Sequence, residues 1–212
     1  VAVEICDMLV PKGPILTTVD KAGVKVSYQS NLEKVPFEKM IVLTDKYTAS
    51  AAEVIAGALQ DAKAATLIGE TTYGKGVVQS IYPNDDGAMI KLTTSEYFRR
   101  SGAAVNEKGI VPDINVPIYT VPMEPMSIAL GGTSSELPNI KRALVVLGFG
   151  VTAIDNTFDQ TTLDAVKAFQ TAHGLKATGT LNVITLYEMN SALYQYYLNN
   201  DVILTRALQE LK

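Results

Sequence analysis

Met40-Ile41-Val42-Leu43-Thr44-Asp45-Lys46-Tyr47-Thr48-Ala49-Ser50-Ala51-Ala52-Glu53 holds two hydrophobic periods end to end. Residues 40–44 are a continuous apolar run bounded by charge, the pattern of a strand buried in a parallel sheet. From Ser50 to Ala62 the apolar positions change to helical spacing, with Val54, Ile55, Ala58 and Leu59 on one side. A buried strand that turns directly into a helix is the building step of an α/β fold. Ser50 stands at the turn.

Outward from this stretch, residues 1–9 read as a helix ended by Pro11-Lys12-Gly13. Residues 15–19 and 24–28 read as strands joined by the hairpin signal Asp20-Lys21-Ala22-Gly23. Residues 66–68, 77–82 and 89–94 read as further strands, the last two turned by Asn84-Asp85-Asp86-Gly87. The character changes after Val116. Residues 121–136 contain Pro122, Pro125, Gly131, Gly132 and a Thr-Ser-Ser cluster, a linker composition. Beyond it the signals are helical, over 140–147, 160–173, 182–199 and 201–211. Gly148 and Gly174 sit where helix C-terminal glycines belong. The expected division is an α/β domain over 1–120, a linker over 121–134, a helical domain over 135–190 and a helical tail over 191–212.

A chain of 212 residues can bury a sizeable core in one large or two small domains. With 47% hydrophobic and 19% charged residues it has the composition of a globular protein. A net charge of −4 and the lack of any basic run exclude a nucleic-acid partner. Cys6 is alone, so no intrachain disulfide forms, and it reads as a buried apolar side chain. No apolar stretch is long enough for a transmembrane helix, and no signal peptide is seen. The chain opens on Val1, without methionine and already inside a helical pattern, which is the expectation for a piece of a longer protein.

Ser50 and Lys75 carry the chemistry. A serine hydroxyl becomes a good nucleophile when a neighbouring base takes its proton, and an unprotonated lysine can be that base. The plain alternative for Ser50 is a helix N-cap. The same position would offer the free N–H of Ala51 and the helix dipole to a developing oxyanion. Ala49, Ala51 and Ala52 leave room for a substrate carbonyl.

Lys75 lies in Tyr73-Gly74-Lys75-Gly76-Val77-Val78-Gln79, and its plain alternative is an exposed surface turn. Residues 69–76 also match the phosphate-binding pattern G-x-x-x-x-G-K-[ST] at every position but the last. Gly76 supplies no hydroxyl for Mg²⁺, and the segment runs into a β-branched strand where a phosphate loop requires a helix. Nucleotide binding is rejected. In a strand of period two, Lys75, Val77 and Gln79 share a face, which lets Gln79 reach the lysine amine. His173, the only histidine, is remote in sequence, so a serine–histidine triad is not expected. No cluster of His, Cys or carboxylates has metal-ligand spacing, and neither metal nor cofactor is expected.

Three motifs, Thr48-Ala49-Ser50-Ala51-Ala52-Glu53, then Gly69 to Gln79, then Gly109-Ile110-Val111-Pro112-Asp113, together resemble the core of the carboxy-terminal processing, or tail-specific, proteases. Ala2 to Asp7 and Pro11-Lys12-Gly13 resemble a helix and turn of the same family. The resemblance implies a serine endopeptidase core with a crotonase/Clp-protease-like β-β-α sheet, Ser50 as nucleophile, Lys75 as base and Gln79 as the residue that orients Lys75. It implies that the Ala51 N–H is one oxyanion donor and that a glycine-rich turn preceding the first helix supplies the other. Such a chain alone is expected to be weak or inactive. The implied partners are proteins or peptides with unstructured C-termini, recognised through a PDZ module in the longer protein. A homo-oligomer and a location in the bacterial envelope or outside the cell are expected with it.

The second region resembles peptidoglycan-binding modules of the three-helix type. The matching residues run from Leu144 to Phe149, Asp155 to Thr162, Ala165 to Leu175 and Thr178 to Thr185. Asn156 replaces a glycine of that pattern, and asparagine tolerates the left-handed conformation the turn would need. Peptidoglycan is therefore a candidate partner, although such modules also serve as helical spacers. A non-catalytic cell-wall-binding or interaction fragment stands as the alternative to the protease.

Overall fold

The computed structural model describes residues 1–212. In chain order the elements are α1 (Ala2–Leu9), β1 (Gly13–Asp20), β2 (Lys25–Ser30), β3 (Ile41–Thr44), α2 (Ala51–Asp61), β4 (Thr66–Gly69), β5 (Val77–Pro83), β6 (Met89–Arg99), β7 (Ile114–Asn115), α3 (Leu137–Val146), α4 (Gln160–Ala172), α5 (Val183–Asn199) and α6 (Val202–Glu210). The chain divides into two compact units, Val1–Pro117 with Ile203–Lys212, and Ile118–Val202.

The first unit is mixed α/β. Strands β3 and β4 pair in parallel from Ile41↔Thr66 to Thr44↔Gly69, with α2 as their crossover. β7 extends this sheet beside β4. β7 was not expected from the sequence, because two residues are too few to show a period. The second sheet is antiparallel, in the order β2-β1-β6-β5. Its first hairpin closes where Asp20 Oδ1 accepts the N–H groups of Ala22 at 2.9 Å and Val24 at 2.8 Å, which is why Asp heads that turn. β6 runs through Ser95 to Arg99, further than the sequence suggests, because β1 pairs with it there from Leu16↔Arg99 to Asp20↔Ser95. The core joins Cys6, Ile15, Leu59, Leu67, Tyr97 and Ile110. Burial pushes the Cys6 thiol up to about 11, so it behaves as a small apolar group.

The second unit packs α3, α4 and α5 around Leu137, Ile140, Leu144, Phe169, Leu186 and Met189. Asp159 and Asn182 cap α4 and α5, each accepting a backbone N–H three residues on. Gly148 and Gly174 adopt φ of 89° and 69° at the helix C-termini. Asn156 is not among the residues with positive φ, so it takes the glycine's place without the left-handed turn.

Two boundaries differ from expectation. Residues 121–134 are strapped to the helical unit instead of linking freely. Val121 is buried, Asn190 both accepts its N–H and donates to its carbonyl, and Met126 bridges Leu181. At the other end α5 runs unbroken through residue 190, and residues 203–212 cluster with the first unit, where the Lys39 ammonium donates to the Glu210 carbonyl.

Candidate active site

Ser50 sits between β3 and α2, but not as an ordinary cap. Asp159 and Asn182 show what a cap looks like in this chain: φ of −82° and −77°, ψ of 176° and 169°, with the side chain bonded to the third residue of the helix. Ser50 has φ 56° and ψ −116°. That conformation belongs to the first central position of a type II′ turn, where glycine dominates. A serine held there is strained by roughly 1–3 kcal/mol, and such strain persists only where the surroundings over-determine it. The preceding loop supplies that constraint. Asp45 Oδ1 accepts the N–H groups of Tyr47 and Thr48, and the Tyr73 N–H is bonded to the Thr48 carbonyl. The strain projects Ser50 from a sharp strand-to-helix turn, the geometry that exposes a nucleophile.

Glu53 supplies the rest of the constraint. Its side chain is fully buried, yet it is satisfied. Oε2 accepts the N–H of Ser50 at 2.8 Å and that of Lys75 at 2.8 Å. Oε1 accepts the N–H of Gly74 at 2.7 Å and the Thr72 hydroxyl. A single carboxylate oxygen therefore ties the backbones of both candidate catalytic residues. A carboxylate can do this because it is acceptor-only, with about four lone-pair sites. In the sequence Glu53 stands within a motif but has no evident role of its own. The signal was its place three residues after a helix-opening serine, where it reads as half of a capping box.

Lys75 is half-buried, in an irregular segment that precedes β5. The glycines on either side answer to backbone, not to apolar neighbours. A Cβ at Gly76 would stand 2.2 Å from the Asn106 nitrogen, and Gly74, at φ +87°, would meet the Gly109 nitrogen at 2.8 Å. The Gly74 carbonyl accepts the Glu107 N–H, and Thr72 exchanges hydrogen bonds with Ile110. The third sequence motif, residues 109–113, is thus the floor on which the Lys75 segment rests. Asp113 fastens that floor by accepting the N–H of Leu67 and the amide of Gln60.

Gln79 departs from expectation. Lys75 lies outside the strand, and a register shift between Val78 and Gln79 breaks the alternation, so the period-two placement on one face does not hold. The Gln79 amide donates to Thr93 Oγ1 at 3.4 Å. No hydrogen bond joins it to Lys75, nor Lys75 to Ser50.

Ser50, Ala51, Lys75 and Gln79 nevertheless line one cavity of about 500 Å³, with apolar walls that include Leu16, Val54 and Val77. Ala51 is the first residue of α2, so its N–H has no helical acceptor. Tyr97, also unnoticed in the sequence, is buried at the cavity wall, where its hydroxyl donates to the Ser50 carbonyl at 3.3 Å. Burial, and then the negative charge of Glu53, push its phenol well up, so it is a neutral donor at any working pH. His173 lies in the other unit. It stacks on Phe169 at 4.2 Å and pairs with Glu188.

The profile of peptidase family S41 matches residues 1–116. The chain belongs to peptidase family S41. Residues 133–189 match the profile of a peptidoglycan binding domain. The carboxy-terminal processing protease CtpA of Bacillus subtilis (strain 168) is 30% identical over 217 residues, which cover 100% of this chain and 46% of the relative. A CtpA-like serine protease of Staphylococcus aureus (strain N315) is 30% identical over 219 residues, covering 100% and 44%. Among solved structures, the photosystem II D1 C-terminal processing protease superposes with a TM-score of 0.51 at 32% identity, over 57% of this chain and 32% of that one. This S41 chain spans less than half the length of the curated relatives it matches.

Proposed function

We propose that the first unit carries the catalytic centre of a serine endopeptidase that cleaves proteins near their C-termini, using Ser50 and Lys75 as a dyad. The observation that carries this reading is the convergence of Ser50, Ala51 and Lys75 on one cavity, with the first and last tied to the same Glu53 oxygen. The neutral Lys75 amine takes the Ser50 proton as Oγ attacks the scissile carbonyl carbon. The Ala51 N–H donates to the resulting oxyanion, with the positive end of α2 behind it. Collapse expels the amine of the C-terminal fragment, which takes its proton from the Lys75 ammonium and leaves an acyl-enzyme for water to hydrolyse. Gln79 holds the Lys75 amine on target once substrate fills the cavity, because catalytic hydrogen bonds are often longer in the empty enzyme.

The same reading takes the sheet as the β-β-α type of crotonases and Clp proteases and the second unit as a three-helix module. It places the protein outside the cytoplasm, in the bacterial envelope or secreted, as a homo-oligomer with a PDZ module that selects unstructured C-terminal tails. Peptidoglycan is the ligand proposed for residues 133–189.

A fluorophosphonate probe and turnover of an unstructured peptide test the dyad in the full-length gene product. Ser50 is the expected site of labelling. Ser50→Ala and Lys75→Ala each abolish turnover, and the double variant is no worse than either single one, because dyad members act as a unit. Labelling elsewhere, or independent additive losses, would remove the dyad.

A further inference from the structure

The cavity that holds Ser50 and Lys75 has a second lysine. Lys91, on β6, lines it as well, and no Asp or Glu does. Lys91 pairs with Ile81 across the hairpin, one same-face position beyond the pair Gln79↔Thr93. Two residues of strand set it about 7 Å from Gln79 along the sheet. That is roughly the distance separating alternate side chains of an extended peptide lying alongside.

The charge of Lys91 is unspent. Lys12, Arg99, Lys141 and Arg206 each find a carboxylate in this fold, whereas Lys91 forms neither an ion pair nor a side-chain hydrogen bond. Lys91 is exposed at the rim of a cavity whose walls are largely apolar, where its ammonium can form a charge-assisted hydrogen bond to an entering group. A cavity that carries the Lys91 ammonium and no acid disfavours a cationic group and rewards an anionic one.

We infer that Lys91 is a specificity residue of the S41 cavity, binding a carboxylate of the substrate close to the scissile bond. The inference rests on the peptidase reading above. The carboxylate is either an Asp or Glu side chain or the free C-terminal carboxylate of a short tail, and both offer the same two acceptor oxygens to the ammonium. Binding there acts on the ground state and the transition state alike, so it is expressed in KM more than in kcat.

The test uses matched unstructured peptides in the full-length gene product. One pair differs as Glu against Gln beside the scissile bond, and the other as free acid against C-terminal amide. In the wild type at least one pair shows a preference of about 10-fold for the carboxylate in kcat/KM, carried by KM. Lys91→Ala brings that ratio to near unity, and Lys91→Glu inverts it in favour of a Lys-containing peptide. The pair that responds identifies the source of the carboxylate. Circular dichroism establishes that the variants are folded. Dissociation constants of the same labelled peptides, measured by fluorescence anisotropy on a Ser50→Ala background, repeat the comparison without turnover. A protein that binds with the charge preference but never cleaves would overturn the peptidase reading and retain the Lys91 site. Ratios that stay the same in Lys91→Ala and Lys91→Glu, by turnover and by anisotropy, would overturn the Lys91 site alone.

Discussion

At the scale of the residue, Ser50 and Glu53 invite opposite experiments. An ordinary N-cap serine is more stabilising than glycine by a few tenths of a kcal/mol. At φ 56° and ψ −116° the order reverses, because glycine occupies that region without strain. Ser50→Gly is therefore expected to be inactive yet more stable than the wild type, by up to about 1 kcal/mol in urea unfolding. A loss of stability would restore the plain cap. Glu53→Gln keeps the size of the side chain but turns one acceptor oxygen into a donor. At least one of the N–H groups of Ser50, Gly74 and Lys75, or the Thr72 hydroxyl, then loses its acceptor. The expected cost is about 1–3 kcal/mol of stability and a fall in kcat of about 100-fold from misplacement. KM should hardly change, because Glu53 does not line the cavity. Stopped-assay kinetics beside a denaturant curve separate the two effects, and equal kcat in a destabilised protein would deny Glu53 a positioning role.

At the scale of the element, what was legible in the sequence was whatever repeats. The apolar run 41–44, the helical spacing of 54–59 and the capped helices of the second unit were readable because burial imposes a period on them. Ser50, Lys75 and Ala51, which line one cavity, stood out as candidates because each lies in a frame of small residues. What escaped has no period. Two-residue β7, the bulge at Val78 and Gln79, and the buried carboxylate of Glu53 are all set by contacts between segments far apart in the chain. The caps are testable in their own right. Hydrogen bonds from the Thr162 hydroxyl and N–H, the larger causes, hold the Asp159 carboxyl down at about 2. A depressed carboxyl stabilises the fold above its unfolded value of about 3.9 and loses that contribution as pH falls through its folded value. Asp159→Ala should thus cost about 1 kcal/mol at neutral pH, with the gap between variant and wild type closing as pH falls from about 4 to about 2. Chemical denaturation at a series of pH values reads this directly, and a constant gap would deny the cap its charge.

At the scale of the whole molecule, the boundaries decide what can be cut out. Val121 is buried against the helices and bonded twice to Asn190, so a piece that starts at residue 135 discards part of its own core. Residues 118–202 expressed alone should be folded. Residues 135–202 should be less stable by about 2 kcal/mol or more, chiefly from losing the burial of Val121. Equal melting temperatures would mean that the strap is ornamental. At the other end, removing residues 203–212 should weaken the unit that holds Ser50 while leaving the helical unit unaffected, since those residues cluster with the former.

That return of the chain has a mechanical meaning. Residues 1–117 and 203–212 form one body, and the helical unit is spliced between them. Tension applied through residues 1 and 212 would enter and leave by the same body. The load would fall first on the anchorage of α6, including the tether from Lys39 to Glu210. Only when that helix has peeled away would the pull be transmitted through residues 118–202. The spliced unit is shielded from stretching by the part of the chain that flanks it.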